Sequence, residues 1–235
     1  MTVLHLADEG EAADLAAFLS RLLHYDRSAA VRLQAAGTAL AVFGRPPSFE
    51  VLAVRTVRLA KPYENGLDVT LDVTVSAGEL LESVDERAAT ARVPGSVTGP
   101  PWAGVLPPRG GWRAEPGLPA PDALRALVAA AVAEFRARTE ELAAEDRTRA
   151  ALDGIGRDIW SRTVGDTGLP VRAVHAAQSL GFLRPRGASG PGTGPGSGED
   201  EPRLFSSGAW LRLRTPFGSV ALRRAGTGAL GISVR

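Results

Sequence analysis

The sequence predicts an α+β protein, and three observations support that fold class. Apolar residues at helical spacing indicate a helix between residues 10 and 25. Alternating apolar and polar residues between residues 30 and 75 are typical of antiparallel strands with one solvated face. Helical patterns return after residue 121, and short alternating segments follow near the end. We therefore expect an N-terminal helix plus an antiparallel β-meander, a Pro/Trp-rich strap, a helical middle and a C-terminal β-hairpin or small sheet.

The same patterns divide the chain into three parts. Residues 1–93 contain the helix and the meander, residues 94–120 form the connecting strap, and residues 121–235 contain the helical segment and the C-terminal strands. The chain has 235 residues, of which 44% are hydrophobic and 23% charged, so it is long and apolar enough to form a packed core.

The first helix is predicted over residues 10–25. Leu15, Phe18, Leu19 and Leu22 recur at the spacing that places them on one helical face. The acidic residues that precede and open this segment suit the positive end of a helix. A single amphipathic helix at the start of the chain follows from this pattern.

The strands of the meander are separated by turn signals. Residues 30–37 and 38–44 meet at Gly37-Thr38, and residues 49–60 are joined to residues 67–75 through an Asn65-Gly66 turn. In the last of these segments valine and leucine alternate strictly with aspartate and threonine. The spacing predicts four strands connected as consecutive neighbours.

The strap, residues 94–120, is defined by its prolines and by two tryptophans, Trp102 and Trp112. Eight prolines lie between residues 94 and 121, and proline fixes φ and lacks an amide donor, so we expect no strand or helix there. Two interpretations stay open. The rings clamp the two halves of the protein together, which we favour, or the segment "PPWAGVLPPR" is a polyproline-type ligand with a flanking arginine.

The remaining chain predicts three helices and a basic end. A long helix begins at Pro121, a second helical run spans about residues 146–162, and a short helix spans residues 170–181. Residues 187–200 are rich in Gly and Pro and predict a flexible loop. Two or three strands are expected in the segments "GAWLRLRTPFGSVALRR" and "GALGISVR".

Composition excludes several chemistries. The chain has no cysteine, so disulfides, thiolate metal sites and cysteine nucleophiles are excluded. Its three histidines show no metal-ligand spacing, and no paired carboxylates suit acid–base catalysis. We therefore assign no catalytic, cofactor-binding or metal-binding residue and expect no cofactor. The N-terminus lacks a signal peptide and no segment is apolar enough to span a bilayer, so we expect a cytoplasmic protein without a membrane partner.

Charge is distributed unevenly along the chain. Residues 1–150 contain 16 Lys and Arg and 20 Asp and Glu, a net charge of −4, whereas residues 151–235 contain 11 and 6, a net charge of +5. The basic half also shows a helix, a glycine turn, a second helix and a basic hairpin, the order of a winged helix-turn-helix. In that interpretation the second helix presents Arg172, His175 and Ser179 to a nucleic acid. The hairpin supplies Arg212, Arg214, Arg223 and Arg224 to its phosphates.

These observations define a candidate interaction surface. Its residues are Trp102, Arg109, Trp112, Arg172, His175, Arg212, Arg214, Arg223 and Arg224. We expect a non-enzymatic regulatory or adaptor protein that acts through macromolecular contacts, with a protein as the first candidate partner. DNA binding through the winged-helix-like half is the alternative, and an enzyme with an unrecognised pocket is a second alternative. The sequence does not specify the oligomeric state.

Three segments also carry a family resemblance. "WAGVLPPRGGW", "GLPVRAVHAAQSLGF" and "WLRLRTPFGSVALRR" resemble a protein family of high-G+C Gram-positive bacteria, and this resemblance implies no activity, ligand or catalytic residue. The order of elements in the N-terminal part, closing on "DVTVSAGELLESV", is similar to one module of a DNA sliding clamp. Since one fold hosts many functions, this similarity implies a fold and not a role.

Overall fold

The computed structural model describes residues 2–60, 71–185 and 201–224. Within these ranges the helices are α1 (Glu9–Tyr25), α2 (Ala77–Glu82), α3 (Pro121–Glu140), α4 (Arg149–Ser161) and α5 (Val171–Ser179). The strands there are β1 (Val3–His5), β2 (Ala30–Ala36), β3 (Ala39–Gly44), β4 (Leu52–Arg58), β5 (Asp72–Ser76), β6 (Val84–Asp85), β7 (Thr90–Arg92), β8 (Arg113–Glu115), β9 (Arg203–Ser207), β10 (Trp210–Thr215) and β11 (Gly218–Arg223). The predicted α+β fold class is confirmed.

One large antiparallel sheet runs through both halves of the chain. Over the described residues its eight strands follow the order β5-β2-β3-β4-β11-β10-β9-β8, and a second, smaller sheet has the order β1-β7-β6. The two halves meet where residues 52–54 of β4 pair with residues 219–221 of β11. The C-terminal strands, predicted as a hairpin or small sheet, therefore extend the N-terminal sheet.

The strand β5 departs from the predicted meander. β2, β3 and β4 are consecutive neighbours, but β5 pairs with β2 rather than with β4. Three hairpin-connected strands with a fourth that returns beside the first form a Greek key. The prediction that the fourth strand follows β4 as its neighbour was wrong, and the Asn65-Gly66 turn on which it rested lies outside the described residues.

The first helix forms where its apolar spacing predicts it. Asp8 caps α1 by accepting a hydrogen bond from the amide of Glu11 at 2.8 Å, which satisfies one of the free N–H groups of the first turn. Its apolar stripe is fully covered, and Leu19 has no exposed surface. α1 thereby anchors the N-terminal half of the sheet.

A single core lies between the sheet and the helices. Leu19 of α1, Leu33 of β2, Leu124 of α3, Val174 of α5 and Leu213 of β10 belong to one continuous cluster of buried residues. The helices predicted after residue 121 therefore pack on the same layer as the N-terminal helix. Burial of apolar side chains from both halves in one cluster couples their stability.

The strap crosses the opposite face of the sheet. Phe43 of β3 pairs with Val54 of β4, and these residues form a separate apolar cluster with Leu52, against which Trp102 and Leu106 pack. The strap contains the short 3₁₀ helix Pro101–Gly104 and, at the far edge of the sheet, the strand β8. The expectation that the strap forms neither helix nor strand was wrong on both counts. Pro101 opens the 3₁₀ helix, where no amide donor is needed, and the three residues of β8 lie between Pro108 and Pro116 and are free to donate.

The predicted loop at residues 187–200 and the segment "GALGISVR" lie outside the described residues. In the three described ranges, no helix combines the length and the apolar composition that crossing a membrane requires.

Candidate anion-binding interface

Four arginines of the C-terminal strands share one face of the sheet. Across the antiparallel pairs, Arg214 is opposite Arg203, and Arg223 is opposite Trp210. Directly paired residues point to the same face, and residues two apart on a strand do so too. The alternating residues, such as Leu211 and Leu213, are buried in the core below the helices. We name Arg203, Arg212, Arg214 and Arg223 the arginine face.

Two indole rings accompany these arginines. The guanidinium carbon of Arg212 lies 5.7 Å from the ring centroid of Trp112, and that of Arg223 lies 5.5 Å from the ring centroid of Trp210. Both distances fit a cation–π contact. The indole of Trp112 also donates a hydrogen bond of 3.0 Å to the carbonyl oxygen of Pro108, which fixes the ring at the end of the strap. The arginine face is thus bordered by aromatic rings.

The charge of the arginine face is not balanced by its neighbours. Among the described residues, no carboxylate lies within ion-pair distance of Arg203, Arg212, Arg214 or Arg223. Burial, and next the positive charge of Arg214, lower the pKa of Arg212. Arginine nevertheless stays protonated in proteins. The face therefore presents a local excess of positive charge to solvent, mainly through the exposed Arg203, Arg214 and Arg223.

The arginines Arg224 and Arg109 do not join this face. Arg224 forms an ion pair of 3.1 Å with Glu115, a residue paired with the core-facing Leu204, so it lies on the helix side of the sheet edge. Arg109 is exposed on the strap. The pKa of Asp72 is held below its ordinary value chiefly by a hydrogen bond from Arg32, and Arg109 contributes in a minor way through its charge.

The two strap tryptophans contact different halves of the sheet. Trp102 packs on the apolar cluster of β3 and β4, whereas Trp112 lies over Arg212 of β10. The hydroxyl of Ser207 donates a hydrogen bond of 3.3 Å to the carbonyl oxygen of Gly110 and holds the same end of the strap. Both rings are half-buried, so their arrangement agrees with the clamp interpretation of the strap.

Helix α5 contradicts the winged helix-turn-helix interpretation. Five of its nine residues are buried, and it packs against β11, α3 and α4. The hairpin β10–β11 is central in the large sheet and is not a free wing. A recognition helix has to protrude to enter a groove of DNA, so this mode of binding is excluded for α5. The error arose because chain order was taken as spatial arrangement.

The residues Arg172 and His175 consequently lie away from the arginine face. Both line a groove of about 800 Å³ beside α4, on the helix layer. His175 stacks on Trp160 with 4.6 Å between ring centroids, and burial lowers the pKa of its imidazole. The nine candidate residues predicted from the sequence therefore belong to separate places on the protein.

Two members of the interface were missed at the level of the sequence. Arg203 belongs to β9, a strand that was not predicted because "RLFSS" is short and has only two large apolar residues. Trp210 was overlooked although a signal exists. It precedes Arg212 by two residues in "WLRLR", and the alternation of period two places both side chains on one face.

Comparisons with known proteins give two family matches and a distant structural likeness. The family described as "Domain of unknown function (DUF8185)" matches residues 107–227, and the family described as "Domain of unknown function (DUF8010)" matches residues 1–104. A comparison with curated protein sequences gives no match. The boundary between the two matches falls within the strap.

Two solved structures are similar in outline. A crystal structure of the DNA polymerase sliding clamp from Pseudomonas aeruginosa shares 13% identity and a TM-score of 0.48, covering 97% of this chain and 66% of that one. A second, with ligand, shares 14% identity and a TM-score of 0.46, covering 90% and 62%. This chain thus spans slightly less than two thirds of the clamp chains, and scores below 0.5 support no argument about function.

Proposed function

The chain belongs to the DUF8185 family, and we propose that it is a non-enzymatic regulatory or adaptor protein that binds an anionic segment of another macromolecule across its arginine face. The main support is that four arginines cluster on one face of the sheet. None of them has a carboxylate partner among the residues that the structure describes. We also propose a cytoplasmic location, because a chain without cysteine fits a reducing compartment.

The chemistry of arginine favours binding over catalysis at this surface. A guanidinium group presents several fixed donors that match the geometry of carboxylates and phosphates. It stays protonated near neutral pH, because its pKa lies far above that range. The face therefore suits recognition of fixed negative charge and does not suit general acid–base catalysis.

The aromatic contacts favour a protein as the partner. Trp112 and Trp210 each have an arginine over the ring, so that face of each indole is already occupied. Bases of a single-stranded nucleic acid bind such surfaces by stacking on free aromatic faces. An acidic polypeptide segment needs only the guanidinium groups. We therefore propose an acidic segment of a protein as the partner.

Single-stranded nucleic acid is the second candidate. The observation that favours it is the combination of indole rings and arginines on an open sheet face, which is the arrangement of several single-strand binding proteins. Displacement of Arg223 from Trp210 by an incoming base is required in this case. The two candidates differ in the charged group and in the involvement of the rings.

The experiment is an affinity capture from native cytoplasm with the wild-type chain, with and without nuclease. The test variant is the double substitution Arg212→Gln and Arg214→Gln, and the matched control is Arg87→Gln with Arg92→Gln, two exposed arginines of the small sheet region. We expect one protein to be recovered after nuclease treatment by the wild type and by the control, and to be lost with the test variant. Equal recovery with the test variant contradicts the proposal.

A direct binding measurement complements the capture. The full chain is titrated into a fluorescent peptide of ten glutamates and into a fluorescent single-stranded oligonucleotide, with anisotropy as the signal. Charge-assisted hydrogen bonds contribute about 1.5–3 kcal/mol each, so the double substitution should weaken binding of the preferred probe at least about tenfold. If the chain instead prefers the oligonucleotide and Trp210→Ala abolishes that binding, the acidic-peptide proposal is contradicted and single-stranded nucleic acid is supported as the partner.

A further inference from the structure

A groove on the helix layer is separate from the arginine face. It has a volume of about 800 Å³ and lies between α4 and the loop that precedes β4, with His175 of α5 among its lining residues. One whole side of α4 borders it, from Arg149 to Trp160. Ligand sites in proteins are concave, mostly apolar and contain a few convergent polar groups, and their volumes are typically about 300–1,000 Å³.

A row of five rings borders this groove. Phe135 and Trp160 lie 6.1 Å apart, Trp160 and His175 4.6 Å, His175 and Phe49 5.1 Å, and Phe49 and Tyr25 5.2 Å, measured between ring centroids. Trp160 and His175 are stacked with 27° between their planes, whereas the next two pairs meet edge to face. Such a row gives a planar ligand an aromatic surface on which to pack.

Positive charge exceeds negative charge around the rings. Three arginines, Arg149, Arg157 and Arg172, line the groove together with two carboxylates, those of Glu50 and Asp153. The carboxylates already have arginine neighbours, since Asp153 lies 3.8 Å from Arg149 and Glu50 lies 3.5 Å from Arg172. No carboxylate of the described residues lies within ion-pair distance of Arg157. A cationic ligand is therefore disfavoured.

One buried donor in the groove is left without an acceptor. The Nε of Arg172 is inaccessible to solvent and makes no hydrogen bond among the described residues, because its nearest acceptor, a carboxylate oxygen of Glu50, lies 3.5 Å away. A buried donor without an acceptor is unfavourable, and native proteins contain few of them. The Glu50 side chain is 71% exposed, so an anionic ligand can take its place beside the Arg172 guanidinium. This group and Arg157 supply the polar half of a site whose other half is aromatic.

We propose that the groove is a binding site for a small anionic aromatic ligand of the nucleoside monophosphate class. The heteroaromatic base packs against the accessible sides of Trp160, His175 and Tyr25. The phosphate accepts hydrogen bonds from Arg157 and Arg172. The site does not depend on the arginine face, because it lies on the other side of the sheet. Occupation of the groove gives the protein a small-molecule input in addition to its macromolecular contact.

Isothermal titration of the full chain with AMP, GMP, CMP and UMP tests this proposal. We expect saturable binding of at least one nucleotide at one site per chain. The matching nucleoside and inorganic phosphate, used as separate probes, should each bind at least about tenfold more weakly, because each supplies one half of the contacts. Absence of saturable binding for all four nucleotides up to about 10 mM overturns the proposal.

Variants locate the site. The test variant combines Arg157→Gln, a change at an exposed residue, with Arg172→Gln. Together the two substitutions remove both proposed phosphate contacts. We expect this double variant to lower nucleotide affinity at least about tenfold. Arg212→Gln with Arg214→Gln, on the other side of the sheet, serves as the matched control and should leave the affinity within about twofold. Circular dichroism confirms that the variants are folded. Nucleotide binding that survives the Arg157 and Arg172 substitutions unchanged overturns the assignment.

Discussion

The two ends of the strap-covered sheet face use arginine in opposite ways. At the N-terminal end, Arg32 of β2 binds Asp72 of β5 through two hydrogen bonds of 2.7 and 2.8 Å, and it also donates to the carbonyl oxygen of Ala103 in the strap. At the C-terminal end, Arg214 of β10 faces another arginine, Arg203. The same residue type in the same kind of position is therefore ion-paired within the protein at one end, whereas at the other it has no carboxylate partner among the described residues.

The difference arises from the cross-strand neighbours. β5 places Asp72 beside β2, whereas β9 places a second arginine beside β10. Opposite charges on adjacent strands stabilise a sheet, and like charges directly opposite each other destabilise it. The repulsion within the arginine face costs stability in the isolated protein, and under our proposal a bound anionic partner would offset it. Stability measurements on paired and unpaired arginines test this distinction.

The largest effect is expected from Arg55→Met. Arg55 is a buried arginine of β4 that binds Glu11 and Asp14 at 3.0 and 3.1 Å and donates to the carbonyl oxygen of Phe217 at 2.8 Å. Removal of the guanidinium takes the buried partner from both carboxylates and leaves Glu11 with only Arg58 and Asp14 with only Arg184, which are both more exposed. We expect a loss of about 3 kcal/mol in the free energy of unfolding, measured by urea denaturation.

The control for this prediction is Arg58→Met. Arg58 pairs with Asp8 and Glu11 at 3.1 and 2.9 Å, but 69% of its side chain is exposed. Exposed ion pairs contribute less than about 1 kcal/mol. An Arg55→Met variant that unfolds with the same free energy as Arg58→Met contradicts the structural role assigned to the buried arginine.

The next effect compares the two strap rings. Trp102→Ala removes a half-buried indole from the apolar cluster of Phe43, Leu52 and Val54, and we expect a loss of about 2 kcal/mol, roughly half the effect of a fully buried ring. Trp112→Ala removes a ring that contacts Arg212 and should lose only about 1 kcal/mol. Both are measured by denaturant unfolding. If Trp112→Ala loses more unfolding free energy than Trp102→Ala, then the strap stabilises the sheet mainly at its arginine end, which contradicts this prediction.

Much of the fold was predictable because its signals are local. The spacing of Leu15 and Leu22 predicts α1, and alternation predicts β2 to β5 and β10. The joining of β4 to β11 has no local signal, because it unites residues more than 160 positions apart by backbone hydrogen bonds. The Greek-key return of β5 is equally non-local. Turn chemistry at Asn65-Gly66 favoured a hairpin, and packing of the whole sheet selects the pairing.

The candidate site was predictable to the same extent. Side chains alternate between the two faces of a strand, so Arg212 and Arg214 lie on one face. The same rule places the adjacent residues Arg223 and Arg224 on different faces, which the sequence alone would have shown. Arg172 and His175 were grouped with the hairpin because they precede it in a basic segment. The helix that contains them packs below the sheet, and only the tertiary structure shows on which side a helix lies.

A smaller effect is expected from Arg32→Gln. This change removes the paired contact with Asp72 and the contact with the strap, and we expect a loss of about 1 kcal/mol at pH 7. The hydrogen bond from Arg32 holds the pKa of Asp72 below its ordinary value of 3.8, so the folded state binds fewer protons than the unfolded state around that pH. The stabilisation is present above about pH 4 and is lost as the pH falls further.

The measurement is urea unfolding of the wild type and Arg32→Gln between pH 7 and pH 3. The difference between the two free energies of unfolding should shrink as the pH falls below about 4, because protonated Asp72 no longer pairs with arginine in the wild type. A difference that stays constant over this range shows that the contact with the strap carbonyl, and not the ion pair, is what stabilises this end of the face.

The smallest effect is expected from Arg214→Gln, and its sign is the informative result. Because Arg214 is exposed and directly opposite Arg203, its removal relieves a like-charge pair. We expect the free energy of unfolding to stay the same or to rise by about 0.3 kcal/mol, and the gain to vanish in high salt, which screens exposed charges. A loss comparable to that of Arg32→Gln would mean that Arg214 has a structural partner within the protein. That result would contradict the proposal that the arginine face binds an anionic ligand.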